Sequence, residues 1–461
     1  MLKSILNTLS NCFKIPELKS RIIFTLFVLA ICRIASLIPC PGTNSAALVA
    51  YFQQHGNSAS NGLLGMYSMF TGGGFERCAI GSLGIMPYIS ATIIIQLLSA
   101  VIPQLSKLAR EEGGRAKLVQ YGRVGTLLLC VGQGWFMALG WEHAGDLFKG
   151  FQGNLVANGV NIWLFRVETT VILATGTMLL MWLGEQITER GIGNGISLII
   201  TIGILARLPA AVQGAWDMFF PPASVTENPF NWGHAVALIL LLCAVIAGVI
   251  AVTQAQRKIP VQYAQRAVGR KIYSGGSSFM PLRVNYAGVM PVIFAQALLM
   301  FPSMIFRAAG SRFNLPFLLQ LSQSLDRGSI IYLTLYGLLI LFFSYFWVAT
   351  QFNEIQIADD MKKGGGYIPG VRPGIATSDF LHKTMSRITL AGAIFLTAIA
   401  VIPILLQEWM RIPMSVSQFF GGTSLLIMVG VMLDTMRQME SHLLMRHYDG
   451  FLKKGRIKGK F

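Results

Sequence analysis

Residues 79–102 read Ala-Ile-Gly-Ser-Leu-Gly-Ile-Met-Pro-Tyr-Ile-Ser-Ala-Thr-Ile-Ile-Ile-Gln-Leu-Leu-Ser-Ala-Val-Ile, without a single charge. About 20 mostly apolar residues in a helix cross a hydrocarbon core, so this stretch predicts a membrane span. Pro87 removes a helix hydrogen bond and predicts a kink within it. Nine further stretches predict spans near 22–40, 122–141, 163–183, 192–211, 234–253, 286–306, 329–350, 387–406 and 412–434. The composition agrees. Of 461 residues, 53% are hydrophobic and 12% charged, about half the charge of a soluble domain, and mean hydropathy is +0.58. A soluble enzyme, a disordered chain and a fibrous chain are excluded, leaving a polytopic membrane protein. The first apolar segment is long and lacks an obvious cleavage site, so it is expected to stay as a span.

Orientation follows from the basic residues between spans. With the N-terminus cytoplasmic, one face carries 28 Lys and Arg and the other 8, with Arg33 inside the first span. The acidic residues divide 12 to 8, so the positive surplus lies on one face. Ten spans return the C-terminus to that face. Residues 62–75 are apolar but too short to cross, and predict a re-entrant segment or an external loop lying on the surface.

Outward from the opening stretch, Gly84-Ile85-Met86-Pro87-Tyr88-Ile89 resembles Gly288-Val289-Met290-Pro291-Val292-Ile293. Asn194-Gly195-Ile196-Ser197-Leu198-Ile199-Ile200 resembles Gly421-Gly422-Thr423-Ser424-Leu425-Leu426-Ile427. Both matches shift by five spans, and an odd shift reverses direction across the membrane. The halves, 1–215 and 216–461, are therefore expected to be inverted repeats around a central site. Ile85, Ile89, Thr92 and Gln96 share one helix face, as do Ile196 and Ile200, and Ile293 and Gln296. Lipid-facing residues give the same pattern, but the two amides favour protein or water.

The spans carry only Glu168 and Glu185 as acids, both near span ends, whereas an ion-coupled transporter needs a carboxylate at mid-span. Arg33 is read as an anchor of its helix end. Gly191-Ile192-Gly193-Asn194-Gly195 lacks the strand and Lys-Ser/Thr of a nucleotide loop. The six cysteines contain no CxxC pair, and no nucleophile, base, cofactor or metal constellation is seen, so no enzyme is expected. The 254–285 loop has six basic residues and no acid; the 351–387 loop has five around Gly364-Gly365-Gly366, read as a hinge. Such loops suit RNA phosphates, anionic lipids or an acidic protein surface.

Arg33-Ile34-Ala35-Ser36-Leu37-Ile38-Pro39-Cys40-Pro41-Gly42, Glu189-Arg190-Gly191-Ile192-Gly193-Asn194-Gly195, Pro281-Leu282-Arg283-Val284-Asn285 and Gly364-Gly365-Gly366-Tyr367-Ile368-Pro369-Gly370-Val371-Arg372-Pro373-Gly374 occur in that order. With the repeat segments, they make the whole chain resemble the SecY family of protein-conducting channels. The resemblance implies an all-α fold of ten transmembrane helices in two inverted five-helix halves around a pore. It implies a pore ring of Ile85, Ile89, Ile196, Ile200, Ile293 and Ile427. It implies a plug at 62–74, including Gly65, Met66, Ser68, Met69, Phe70 and Thr71. A lateral gate between spans 2 and 7, near Thr92, Gln96 and Gln296, would release transmembrane segments into lipid. Arg257, Lys258, Arg270, Lys271, Lys362, Lys363 and Arg372 would dock the ribosome or the SecA ATPase. SecE and SecG would complete a heterotrimer in a bacterial cytoplasmic membrane, with both termini cytoplasmic, and signal sequences and unfolded preproteins would be its substrates. Two departures touch the docking loops: Phe279 replaces a polar residue or His, and Phe352-Asn353-Glu354-Ile355 lacks a proline common there. The rival readings are an inverted-repeat transporter of a small solute and a membrane scaffold without a pore.

Overall fold

A computed structural model describes residues 15–54, 67–68, 70–111, 113–147, 151, 153–157, 159, 161–220, 232–263, 266–268, 271–273, 276–312, 315–325, 329–410, 416 and 423–454. By its contacts the chain forms two compact units. One comprises Met1–Ser224, Pro413–Val416 and Ile427–Phe461; the other comprises Val225–Ile412 and Ser417–Leu426.

In the first unit the main helices are α1 (Pro16–Ala35), α2 (Ser45–Gln54), α3 (Met86–Val101), α4 (Pro103–Arg110), α5 (Gly114–Glu142), α6 (Ile162–Arg190), α7 (Gly195–Leu205) and α8 (Leu208–Phe219). Helix α6 is the hub, packed on α1, α3, α5 and α7. Its small residues let neighbours approach closely. A Cβ at Gly176 would stand 2.3 Å from the Ile80 carbonyl oxygen, and Gly134 of α5 lies against Thr170. Asn194 starts α7 by accepting a hydrogen bond from the Ser197 amide at 3.2 Å.

The second unit holds α9 (Trp232–Gln254), α10 (Met290–Arg312), α11 (Pro316–Ser324), α12 (Ile330–Gln351), α13 (Glu354–Lys363) and α14 (Ile375–Met410). It also holds strands β1 (Gln256–Tyr263), β2 (Arg266–Val268), β3 (Lys271–Tyr273), β4 (Ser277–Arg283) and β5 (Gly366–Tyr367). The last helix, α15 (Thr423–Lys454), joins the first unit from Ile427 onward.

Seven described helical stretches are long and apolar enough to cross a membrane. The other three expected spans coincide with α1, α3 and α15. Helix α1 has 20 residues but includes Glu17, Lys19, Arg21 and Arg33. Helix α3 has 16 residues, and α15 is described from Thr423 onward. The second span is shorter than expected because residues 79–85 form turns. Pro87 makes no kink; it sits in the first turn of α3, where its missing N–H would have no helical partner. Pro291 likewise follows the first residue of α10. Each of the two helices is preceded by a left-handed glycine, Gly84 at φ +58° and Gly288 at φ +63°.

The sheet was not expected from sequence. The predicted 254–285 loop is largely an antiparallel ribbon, with Ile259 opposite Met280 and Arg257 opposite Leu282. The expected hinge at Gly364–Gly366 ends in β5, where Gly366 pairs with Tyr263. Ile259 and Leu282 of the ribbon pack on Phe352, Ile368, Leu381, Met385 and Ile388, so the basic segments fold onto an apolar core. The expected 351–387 loop is also mostly ordered structure, since α13 fills its start and α14 begins at Ile375.

Candidate functional site: a buried segment and a basic sheet

The first site lies within the first unit, where residues 67–76 run against α1 and α7. Of the expected plug residues, Ser68, Phe70 and Thr71 are buried, while Gly65, Met66 and Met69 lie outside the described residues. The segment folds on itself: the Gly73 amide donates to the Ser68 carbonyl at 2.8 Å, and Phe75 N–H to Thr71 Oγ1 at 3.3 Å. Gly72 adopts φ +62°, and a Cβ there would meet Arg33 Nη1 at 2.5 Å and Gly203 Cα at 3.0 Å. Only glycine permits both the backbone angle and this approach.

Two arginines tie the segment down. Arg33 Nη1 donates to the Gly72 carbonyl. Arg207, at the break between α7 and α8, donates through Nη2 to Ser68 Oγ and to Glu76 Oε1. Ser68 Oγ donates in turn to Glu76 Oε1 at 2.8 Å. The sequence reading missed Arg207 and Glu76, and took Arg33 for a helix anchor. A charge inside a span with no acid nearby in sequence was the available signal.

Beneath the segment lies a small cavity lined by Cys32, Arg33, Ser36, Phe70, Thr71, Gly84, Ile85, Leu180, Ile199, Ile202 and Gly203. Its lining mixes the aliphatic and aromatic side chains of Phe70, Ile85, Leu180, Ile199 and Ile202 with the polar groups of Arg33, Ser36 and Thr71. Ile85 thus sits directly under the segment. Ile89, Ile200 and Ile427 are also buried in the first unit, and Ile196 is half-buried. Ile293 is buried in the second unit, on α10.

Thr92 Oγ1 donates to the Tyr88 carbonyl at 2.8 Å within α3. The side-chain oxygen of Gln96 is buried without a hydrogen-bond partner among the described residues, and Gln296 is buried in the second unit. The span acids have structural explanations. Glu185 holds Arg123 in a two-point contact at 2.8 and 3.0 Å, and Glu168 is exposed. Among the described residues, no three metal-ligating side chains come together.

The second site is the sheet of the second unit. Arg257, Lys258, Lys362, Lys363 and Arg372 are exposed around the core described above. Lys271 falls in β3, and Arg270 lies outside the described residues. The two departures have local roles. Phe279 is an exposed ring opposite Pro260. Asn353 caps α13 by accepting from the Gln356 amide at 3.2 Å, and Glu354 contacts His382 Nδ1 at 2.6 Å.

A family model described as SecY matches residues 79–436. The chain belongs to the SecY family. Relatives named protein translocase subunit SecY extend the match over nearly the whole length of this SecY-family chain. The Chlamydia trachomatis protein is 44% identical, over 98% of this chain and 99% of its own. The Escherichia coli K12 protein is 42% identical over 96% of each. A solved protein-conducting channel matches the fold with a TM-score of 0.59 at 18% identity, over 95% of this chain and 94% of that one. Sec61 in a canine ribosome–channel complex matches with a TM-score of 0.55 at 17% identity, over the same shares. The chain is thus a multi-pass helical membrane protein with a channel-type fold, and the solute-transporter reading is not favoured.

Proposed function

We propose that this chain is the channel-forming subunit of a protein translocase. It passes unfolded secretory proteins across the membrane and releases transmembrane segments sideways between α3 and α10. The observation that carries this reading is the short, non-spanning segment at 67–76, buried against α1 and α7 over a small cavity whose apolar wall includes Ile85. A solute carrier has no need of a buried segment of this kind; a closed path for polypeptide needs a removable stopper over a dry constriction.

In this reading Ile85, Ile89, Ile196, Ile200, Ile293 and Ile427 form the constriction. Branched apolar side chains exclude water and ions, yet can part around an extended chain without binding it. Thr92, Gln96 and Gln296 border the lateral gate, where exchangeable hydrogen bonds let helices separate. The two halves are inverted repeats; the left-handed glycine and Met-Pro start shared by α3 and α10 support this. Arg257, Lys258, Arg270, Lys271, Lys362, Lys363 and Arg372 dock the ribosome or SecA through charge complementarity. SecE and SecG complete the complex, anionic lipids attend the basic face, and both termini lie in the cytoplasm of a bacterium with the chain in its inner membrane. The chain hydrolyses nothing, and the push comes from its partners.

Reconstitution with SecE, SecG, SecA and ATP tests the reading. A secretory precursor added outside the vesicles should become protease-protected, dependent on ATP. No protection, with the same SecA active on a control channel and solute uptake appearing instead, would replace the channel reading with the transporter.

A further inference from the structure

We propose that Arg33, Arg207, Ser68 and Glu76 form a polar latch on the 67–76 segment, and that the strength of this latch sets how readily the channel opens. The inference rests on the channel reading above. Ser68, Gly72 and Glu76 belong to the segment; Arg33 and Arg207 belong to the walls, on α1 and at the α7–α8 break. Among the described residues, α1 and the α7–α8 break reach the segment through these two arginines, while the following turn adds Ser82 Oγ, which donates to the Gly74 carbonyl at 3.0 Å. The Arg207 and Glu76 side chains are each about a quarter exposed, at 28% and 27%, so water screens their pair only in part.

The charges are unequal. Arg77 and Arg207 add positive potential around Arg33, and Glu76 is the carboxylate that the described contacts bring to this cluster. Removing Glu76 leaves three cations facing one another, whereas removing one arginine leaves two cations and the carboxylate. Loss of Glu76 should therefore unlatch the segment most. Leaving the seat also strips Arg33 and Arg207 of their partners. At membrane depth they then need water, so displacement and wetting of the funnel are coupled. That coupling gives two discrete states rather than a gradual loosening.

The test uses the full chain with SecE and SecG in vesicles, and reads passive chloride flux without precursor. Glu76→Gln should raise flux about tenfold or more, the shift expected when a closed state loses one strong differential contact. Arg207→Gln and Arg33→Gln should raise it less, and Ser68→Ala least. Arg207→Lys keeps the charge and should stay near the parent. The exchanged pair Glu76→Arg with Arg207→Glu should leak less than either of its single changes. Parent-level flux in Glu76→Gln and Arg207→Gln, in complexes assembled to the parent's yield, would overturn the latch. So would Arg207→Lys, or the exchanged pair, leaking as much as Arg207→Gln, because shape rather than charge would then hold the segment. Should a charge variant assemble poorly, Ser68→Ala decides alone, since it deletes one hydroxyl and no charge: raised flux supports the latch and parent-level flux opposes it. Failure of the channel reading looks different, for the parent itself would then protect no precursor.

Discussion

At the scale of single residues, two kinds of position carry the molecule: glycines that let backbones touch, and isoleucines that keep a path dry. A Cβ at Gly195 would stand 1.9 Å from the Gly184 carbonyl oxygen of α6, an approach that no rotamer change relieves. Gly195→Ala should therefore cost on the order of 3 kcal/mol and reduce the yield of monodisperse protein in detergent. Gly132, with open space where its Cβ would go, is the control; its alanine variant should match the parent. Equal yields for both variants would contradict the packing of α7 on α6. For the isoleucines, Ile427→Asn or Ile293→Asn should wet the constriction, raise ion leak and admit precursors with defective signals. Unchanged conductance and signal selectivity would remove those residues from the ring. The apolar residues were legible as a pattern, since Ile85 and Ile89, and Ile196 and Ile200, recur at helical spacing. The tether of residues 67–76 was not. Arg207 is 139 residues from Ser68 and 131 from Glu76, and no local periodicity links such partners.

Among the elements, the helices were read well because a membrane imposes length and apolarity together. The expected stretches 234–253 and 329–350 overlap α9 and α12 almost to their ends. The opening of α3 was misread because uncharged turns at 79–85 look like span when only hydropathy is counted. The sheet escaped notice for a different reason. Strand β1 carries Arg257, Lys258, Pro260 and Gln262, so only Ile259 and Val261 mark its buried face, and a proline argues against a strand. That buried face can be tested. Leu282→Ala empties a site that is 2% exposed, and should cost about 2–5 kcal/mol locally. Amide exchange across β1 and β4 should then accelerate while α5 and α6 stay protected. Unchanged exchange would mean that the ribbon does not depend on this core. Arg372 makes a second test: its side chain is exposed, and its carbonyl accepts from Thr377 Oγ1 at 2.9 Å. Arg372→Glu should leave that bond and assembly intact while weakening SecA-driven transport. Normal transport would take Arg372 off the docking surface.

For the whole molecule, charge asymmetry and hydropathy alone make the class readable, and the ordered motifs point to the family that the full-length matches establish. The inverted relation of the halves rests on two short sequence matches and on the shared start of α3 and α10. The central claim is that a polypeptide travels through this chain's own constriction, past the six isoleucines. The direct test is site-specific crosslinking of a stalled precursor. Ile427→Cys and Ile293→Cys are placed separately in a chain whose native cysteines have been replaced, and paired with a single cysteine moved along the precursor. A disulfide should form only when the precursor cysteine is halted at the waist, and not from a lipid-facing control such as Leu128→Cys, since Leu128 is exposed on α5. Crosslinks at Leu128 with none at 427 or 293, under conditions that protect the precursor from protease, would mean that the substrate takes another route.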